Sequence, residues 1–308
     1  MSELILHHYE LSPYSEKIRG IFGYKDLAWR SVITPEMMPK DNQVALTGGY
    51  RKAPVMQVGR DIYCDTRLIV RVIERLHPQP PLCPPALAAT CAAYGALEPV
   101  LFFACVGKAF TPAGAQTLAQ KFGPDFLPRF MKDRAALFAG GSLSFPNPEA
   151  PVPFAPLVGA LEAQLRERPF LADARPTLPD FICFHCLWFV DSNPGVASLL
   201  EPYPAVRAWI GRMRALGSGR RSEMPAEQSL QAARAATAEQ PLEGAPVPIE
   251  GVKTGDKVSV RATDYGCDPV AGTLLHASAE EIAIRRADAK AGELVVHFPR
   301  AGFKVSPA

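Results

Sequence analysis

Hydrophobic and polar positions at the start of the chain follow two different periods. LILHHY (4–9) reads as a strand, EKIRGIFGYK from Glu16 turns Ile18, Ile21 and Phe22 to one helical face, and a second strand follows near Trp29 to Ile33. After a polar connection, PVMQV (54–58) and DIY (61–63) form two short strands around the turn signal Gly59-Arg60. Leu68, Ile69, Val72, Ile73 and Leu76 then share one face of a helix that stops before His77-Pro78. The predicted order is β-α-β, an irregular stretch, then β-β-α.

HPQPPLCPP (77–85) is an extended linker, because proline removes backbone donors. From Ala86 to Ala215 the patterns are helical, interrupted by a proline-dense loop at 140–156, and PAEQSLQAARAATAEQ (225–240) is a further helix. PLEGAPVP (241–248) is a second linker. Beyond it, VKTGDKVSVRATDYG, DPVAGTLLHAS, EEIAIRRADAKAGE and LVVHFPRAGFKV alternate apolar with polar residues between Gly/Asp turns, which predicts four or five short strands closing into a small barrel. A linker of this composition predicts an independent core, so removing residues 249–308 is expected to leave the rest folded.

Composition narrows the function classes. With 308 residues and 48% apolar content, the chain can build two or more cores. Its 33 basic and 31 acidic residues are interspersed, and residues 249–308 carry eight of each, so no nucleic-acid partner is expected. No apolar run approaches the ~20 residues that span a bilayer, so the expectation is a cytoplasmic protein without a membrane partner. Seven cysteines, an odd number, lie mostly in apolar runs and read as reduced thiols. The C-x-x-C at Cys183 and Cys186 sits inside DFICFHCLWFV and reads as helix packing. His185 has no second ligand at metal spacing, so no metal is expected. Thr177-x-x-Asp180 reads as a structural capping box.

Three segments, in this order and at these separations, carry a resemblance: SPYSEKIR (12–19), KAPV (52–55) with CDT (64–66), and RPTLPDF (175–181). Together they resemble the cytosolic glutathione transferases over roughly residues 3 to 216. The resemblance implies a thioredoxin-like α/β domain in 1–78 and an all-α glutathione-transferase domain in 86–240, with an SH3-like all-β barrel in 249–308 outside it. It implies a homodimer that conjugates glutathione, as co-substrate, to an apolar electrophilic small molecule. Its other reading is a non-catalytic module for binding or assembly, which the extra β unit and the departures at Ala53 and Asp65 favour.

The same resemblance assigns residues. Pro54 would be cis, turning the peptide groups of Ala53 toward the cysteinyl backbone of glutathione; by residue type alone it is a proline opening an edge strand. Asp65 and Thr66 would hold the γ-glutamyl end at a helix N-terminus, where an Asp N-cap is the plainer reading. Ser12 would donate a hydrogen bond to the glutathione thiolate; alone it reads as an N-cap with Pro13 at the first helical position. Serine at both C-x-x-C positions, Ser12 and Ser15, disfavours disulfide exchange. Tyr9 is the alternative catalytic residue. Lys40, Arg51 and Lys52 are candidates for the glycyl carboxylate, and Phe102, Phe103, Phe110 and Trp188 for the wall of an electrophile pocket.

Overall fold

A computed structural model describes residues 3–143 and 153–308, so most of the proline-dense loop at 140–156 lies outside the described residues. The first unit contains β1 (Leu4–His8), α1 (Pro13–Tyr24), β2 (Ala28–Ile33), α2 (Asp41–Thr47), β3 (Val55–Val58), β4 (Asp61–Cys64) and α3 (Thr66–Leu76). β1 runs parallel to β2 and antiparallel to β3, which is antiparallel to β4, the thioredoxin-like arrangement. α1 starts earlier than the apolar period suggests, because the Ser12 hydroxyl caps it and Pro13 has no N–H to leave unpaired. α2 falls in the stretch expected to be irregular; with seven residues it is too short to display a period.

Six helices follow among the described residues: α4 (Ala88–Ala109), α5 (Pro112–Phe122), α6 (Phe126–Phe138), α7 (Phe154–Glu167), α8 (Leu178–Asp191) and α9 (Pro204–Arg214). α8 is the core helix of this half. Its capping box forms as read, with the Thr177 backbone N–H donating to Asp180 at 2.9 Å, and Asp180 also accepts from the Leu171 amide and the Trp209 indole. Cys183 and Cys186 are buried in it, and burial pushes both thiols well above their ordinary range. α4 corrects the expectation about apolar length: with the turn before it, it is long and apolar enough, by length and composition, to cross a membrane. Here it packs on α8 and carries the buried Glu98.

The remaining elements are β5 (Arg220–Glu223), α10 (Ala226–Ala235), β6 (Lys257–Ala262), β7 (Val270–Ala277), β8 (Glu281–Asp288), β9 (Gly292–Pro299) and β10 (Phe303–Pro307). All ten strands of the described residues form one sheet in the order β10-β6-β7-β8-β9-β4-β3-β1-β2-β5, whose two end strands each pair on one side only. The expected closed barrel is therefore corrected to an open extension of the first sheet. β9 lies parallel to β4, Asp61 opposite Val295 and Tyr63 opposite His297. Tyr50, Val55 and Ile62 share a core with Val260, Ile284 and Phe298. The 241–248 segment thus joins two parts of one core: its composition reports local backbone stiffness and carries no information on which strand edges meet. β5 was missed for the same reason. Its sequence, RRSE, has no strand pattern, and its extended form comes from pairing with β2.

A buried charge cluster lies at the β4–β9 seam. His297 stands between Asp61, 2.9 Å from Nε2, and Glu281, 2.5 Å from Nδ1, and stacks on Tyr63 at 4.4 Å. Burial alone would lower the imidazole pKa, but hydrogen bonds and charge from Asp61 and Glu281 outweigh it and raise the value above the ordinary 6.5. A raised folded-state pKa gives stability that is full below 6.5 and lost as pH climbs through the folded value. The thermal midpoint is therefore expected to fall as pH rises above that range, and His297→Gln to flatten this dependence; parallel calorimetric scans of the two proteins check it. Removing residues 249–308 uncovers Val55 and Ile62, and we expect the truncated chain to lose its cooperative thermal transition. A soluble truncated protein that melts cooperatively would contradict the shared core.

Candidate functional site

Three local structures converge beside the amino end of α1: the turn before β3, the start of α3, and the middle of α4. The Ala53–Pro54 peptide is cis. Ala53, Pro54, Asp65, Thr66, Tyr14 and Glu98 help to line a cavity of about 310 Å³. Asp65 is the N-cap of α3, with φ at 75°, a left-handed conformation that costs a non-glycine residue about 1–3 kcal/mol. Its carboxylate accepts the Arg67 backbone N–H at 2.9 Å and pairs with the Arg67 guanidinium at 3.3 Å. The Thr66 hydroxyl accepts from Lys17 at 3.4 Å.

Below this cavity runs a buried ionic network. Lys17 lies 2.8 Å from Glu98, and Glu98 lies 2.7 Å from His185 Nε2, whose ring packs 4.7 Å from that of Tyr14. Burial pushes the Glu98 carboxyl up, but Lys17 and His185 outweigh it and hold the pKa at about 2. Burial lowers the His185 pKa in spite of Glu98.

The far wall comes from the loop between β6 and β7. Lys52 donates to Asp264 and to the Tyr265 carbonyl, both at 3.1 Å, and its ammonium sits 4.4 Å from the Tyr265 ring centroid. Tyr265 stacks on Phe138 of α6 at 4.5 Å, and the Gly266 amide donates to Leu137 at 2.6 Å. Gly141, just past α6, must be glycine for this docking, since a Cβ there would stand 2.0 Å from the Asp264 carbonyl oxygen.

A second, narrower cavity of about 90 Å³ shares Tyr14, Lys52, Ala53, Phe103 and Tyr265 with the first. Tyr9, Ser12 and Lys40 line it, with Phe102, Phe110 and Phe130. Ser12 is buried; its hydroxyl accepts the Ser15 amide at 3.2 Å, and its backbone N–H donates to the Tyr9 carbonyl at 3.1 Å. Burial raises the Tyr9 pKa above its ordinary value. The sequence candidates thus divide. Pro54, Asp65 and Thr66 face the wide cavity, Tyr9, Ser12, Lys40 and Arg51 the narrow one, and Lys52 and Ala53 both. Trp188 lies apart from them, in a depression with Leu118 and Lys121.

Sequence reasoning missed Tyr14, Arg67, Glu98, Arg134, Asp264 and Tyr265. A lone acid in the apolar pattern of α4 was a usable signal for Glu98; nothing local marked Asp264 and Tyr265.

Family models describe the same halves: Glutathione S-transferase, N-terminal domain, matches residues 6–81, and Glutathione S-transferase, C-terminal domain, matches residues 149–212. No curated protein matches the chain. Among solved structures, a GST-like protein from Pseudomonas syringae is 35% identical with a TM-score of 0.79, covering 100% of both chains. A glutathione S-transferase from Rhodospirillum rubrum, 18% identical, covers 69% of this chain and 88% of its own with a TM-score of 0.50. The beta-etherase LigF from Sphingobium, also 18% identical, covers 70% and 96% with a TM-score of 0.50. The last two share the fold alone. The chain belongs to the glutathione S-transferase family. The full-length match to the Pseudomonas syringae protein includes the carboxyl-terminal strands that supply the Asp264–Tyr265 wall.

The ionic network has a direct consequence. Lys17→Met leaves Glu98 buried without its main counter-charge, and we expect a loss of about 3–5 kcal/mol, measured by denaturant unfolding. Lys17→Arg, which keeps the charge, should recover part of it.

Proposed function

We propose that the protein is a glutathione transferase that conjugates the glutathione thiolate to an electrophilic small molecule. The observation that carries this reading is the convergence of the Ala53–Pro54 turn and the α3 N-terminus on one cavity that adjoins an aromatic one containing Ser12. The γ-glutamyl carboxylate meets the free N–H groups and the hydroxyl of Thr66 at the start of α3, and the α-ammonium of the same residue meets Asp65. The cysteinyl backbone pairs with Ala53, which leaves the sulfur at the boundary between the cavities. Lys52 faces the glycyl carboxylate once it exchanges Asp264 for it.

Ser12 acts as a hydrogen-bond donor. A free thiol has a pKa near 8.5, and the positive end of α1 together with the Ser12 O–H lowers it. The thiolate then attacks the electrophilic carbon.

Glutathione in a thermal-shift assay tests the binding, since a ligand at one hundred times its dissociation constant adds about 2.7 kcal/mol of apparent stability. Ser12→Ala is expected to bind glutathione but to raise the pKa of the bound thiol, read from thiolate ultraviolet absorbance against pH, with slower conjugation. No glutathione shift would favour the binding-module reading, for which the engaged Lys52 and Asp65 side chains speak. An unchanged thiol pKa in Ser12→Ala would leave Ser12 as a helix cap and direct attention to Tyr9.

A further inference from the structure

Two acidic residues of one loop sit on two adjacent basic residues of the site. In RKAP (51–54), Lys52 lies 3.1 Å from Asp264 and Arg51 lies 3.2 Å from Asp268, and both acids belong to DYGCD (264–268) between β6 and β7. Arg51 also has Asp133 of α6 at 3.6 Å, whereas Asp264 is the one carboxylate within ion-pair distance of Lys52 among the described residues. The two cations are nearly enclosed, their side chains 10% and 12% exposed, while those of Asp264 and Asp268 are 36% and 51% exposed. The acids therefore come from the solvent side and cover cations that line the cavities.

The loop is seated by contacts that do not use these charges. The Ser142 amide donates to the Thr263 carbonyl and the Leu143 amide to the Asp264 carbonyl, both at 3.1 Å, the Gly266 amide donates to Leu137, and the Tyr265 ring stacks on Phe138. The Tyr265 amide donates to the Asp264 carboxylate at 2.7 Å, a bond that an asparagine oxygen can also accept. The carboxylate charges are thus separable from the seat of the loop. A ligand carboxylate brought to Lys52 meets the Asp264 carboxylate on the same ammonium, and two anions a few ångströms apart repel each other. One must leave as the other arrives.

We propose that DYGCD is an autoinhibitory strap: Asp264, with Asp268 beside it, competes with a carboxylate of glutathione for Lys52 and Arg51, and ligand binding lifts the strap from them. The proposal rests on the glutathione reading and adds its regulation by the carboxyl-terminal strands. A carboxylate tethered to its own site competes at an effective concentration on the order of millimolar or more, so the strap sets the glutathione concentration at which the site fills. The coupling is reciprocal: glutathione loosens the strap by the same factor by which the strap weakens glutathione.

The test titrates glutathione calorimetrically into the full chain, into Asp264→Asn and into the double variant Asp264→Asn with Asp268→Asn. Asp264→Asn should bind about fivefold more tightly, the upper range for a partly exposed ion pair, and the double variant more tightly still. The gain should vanish when both members of the comparison also carry Lys52→Met. Hydrogen exchange at the Ser142, Leu143 and Gly266 amides reads the strap itself: it should be faster in the double variant than in the parent, and faster in the parent with glutathione than without, a comparison that needs no variant to fold. Equal or weaker glutathione affinity in Asp264→Asn overturns the proposal, the weaker affinity making Asp264 a wall that builds the site. A gain that survives Lys52→Met, or glutathione binding that leaves the parent's exchange unchanged, also overturns it. If neither parent nor variants bind glutathione, the glutathione reading falls; faster exchange in the double variant then still supports a charge-held strap, and unchanged exchange refutes the strap as well.

Discussion

The parallel pairing of β4 with β9 is the contact on which the rest of the molecule depends. β4 closes the thioredoxin-like sheet and leads directly into α3, so whatever fixes β4 also fixes the helix start at Asp65 and Thr66. Backbone hydrogen bonds to β9, the core shared by Ile62 and Phe298, and the enclosed Asp61–His297–Glu281 cluster act on that one strand. An unpaired edge of this sheet would expose β4 to other chains. Here the edge is covered by the protein's own last strands, and the β6–β7 loop they carry reaches Lys52.

The two buried ionic centres near the cavities solve the same physical problem differently. Glu98 is enclosed with two nitrogen partners, and its carboxylate is held ionised by them. That centre is complete, and it anchors α1 to α4 and α8 beneath the site. Lys40 is enclosed with a single carbonyl and an aromatic face. Burial, reinforced by the charge of Arg134 and opposed by Asp133 and Glu36, lowers its pKa to about 7.

Lys52 connects these themes. Its charge faces both cavities but is neutralised by Asp264, so the carboxyl-terminal strands contribute to the electrostatics of the site as well as to its shape. Tyr265, lodged between Lys52 and Phe138, ties the first sheet to α6 through the same loop.

Features set by neighbours in the chain were legible in the sequence. The period of Ile18, Ile21 and Phe22, the single face of Leu68 to Leu76, the caps at Ser12, Asp65 and Thr177, and the turn at Gly59-Arg60 depend on backbone geometry within a few residues. The SPYS, KAPV and CDT segments located the cavity walls because a helix N-terminus and a proline-led strand are local objects. Features set by distant partners were not legible. Lys52 meets Asp264 across 212 positions and His297 meets Asp61 across 236, separations over which composition carries no register. PLEGAPVP looked like a boundary because proline and glycine stiffen and turn the chain, yet which strand edges pair is decided by the burial of Val55, Ile62, Ile284 and Phe298 in a common core. Local periodicity determined the elements; only the tertiary structure decided that the last strands complete both the sheet and the site, because hydrogen bonding between strand edges is independent of their distance in sequence.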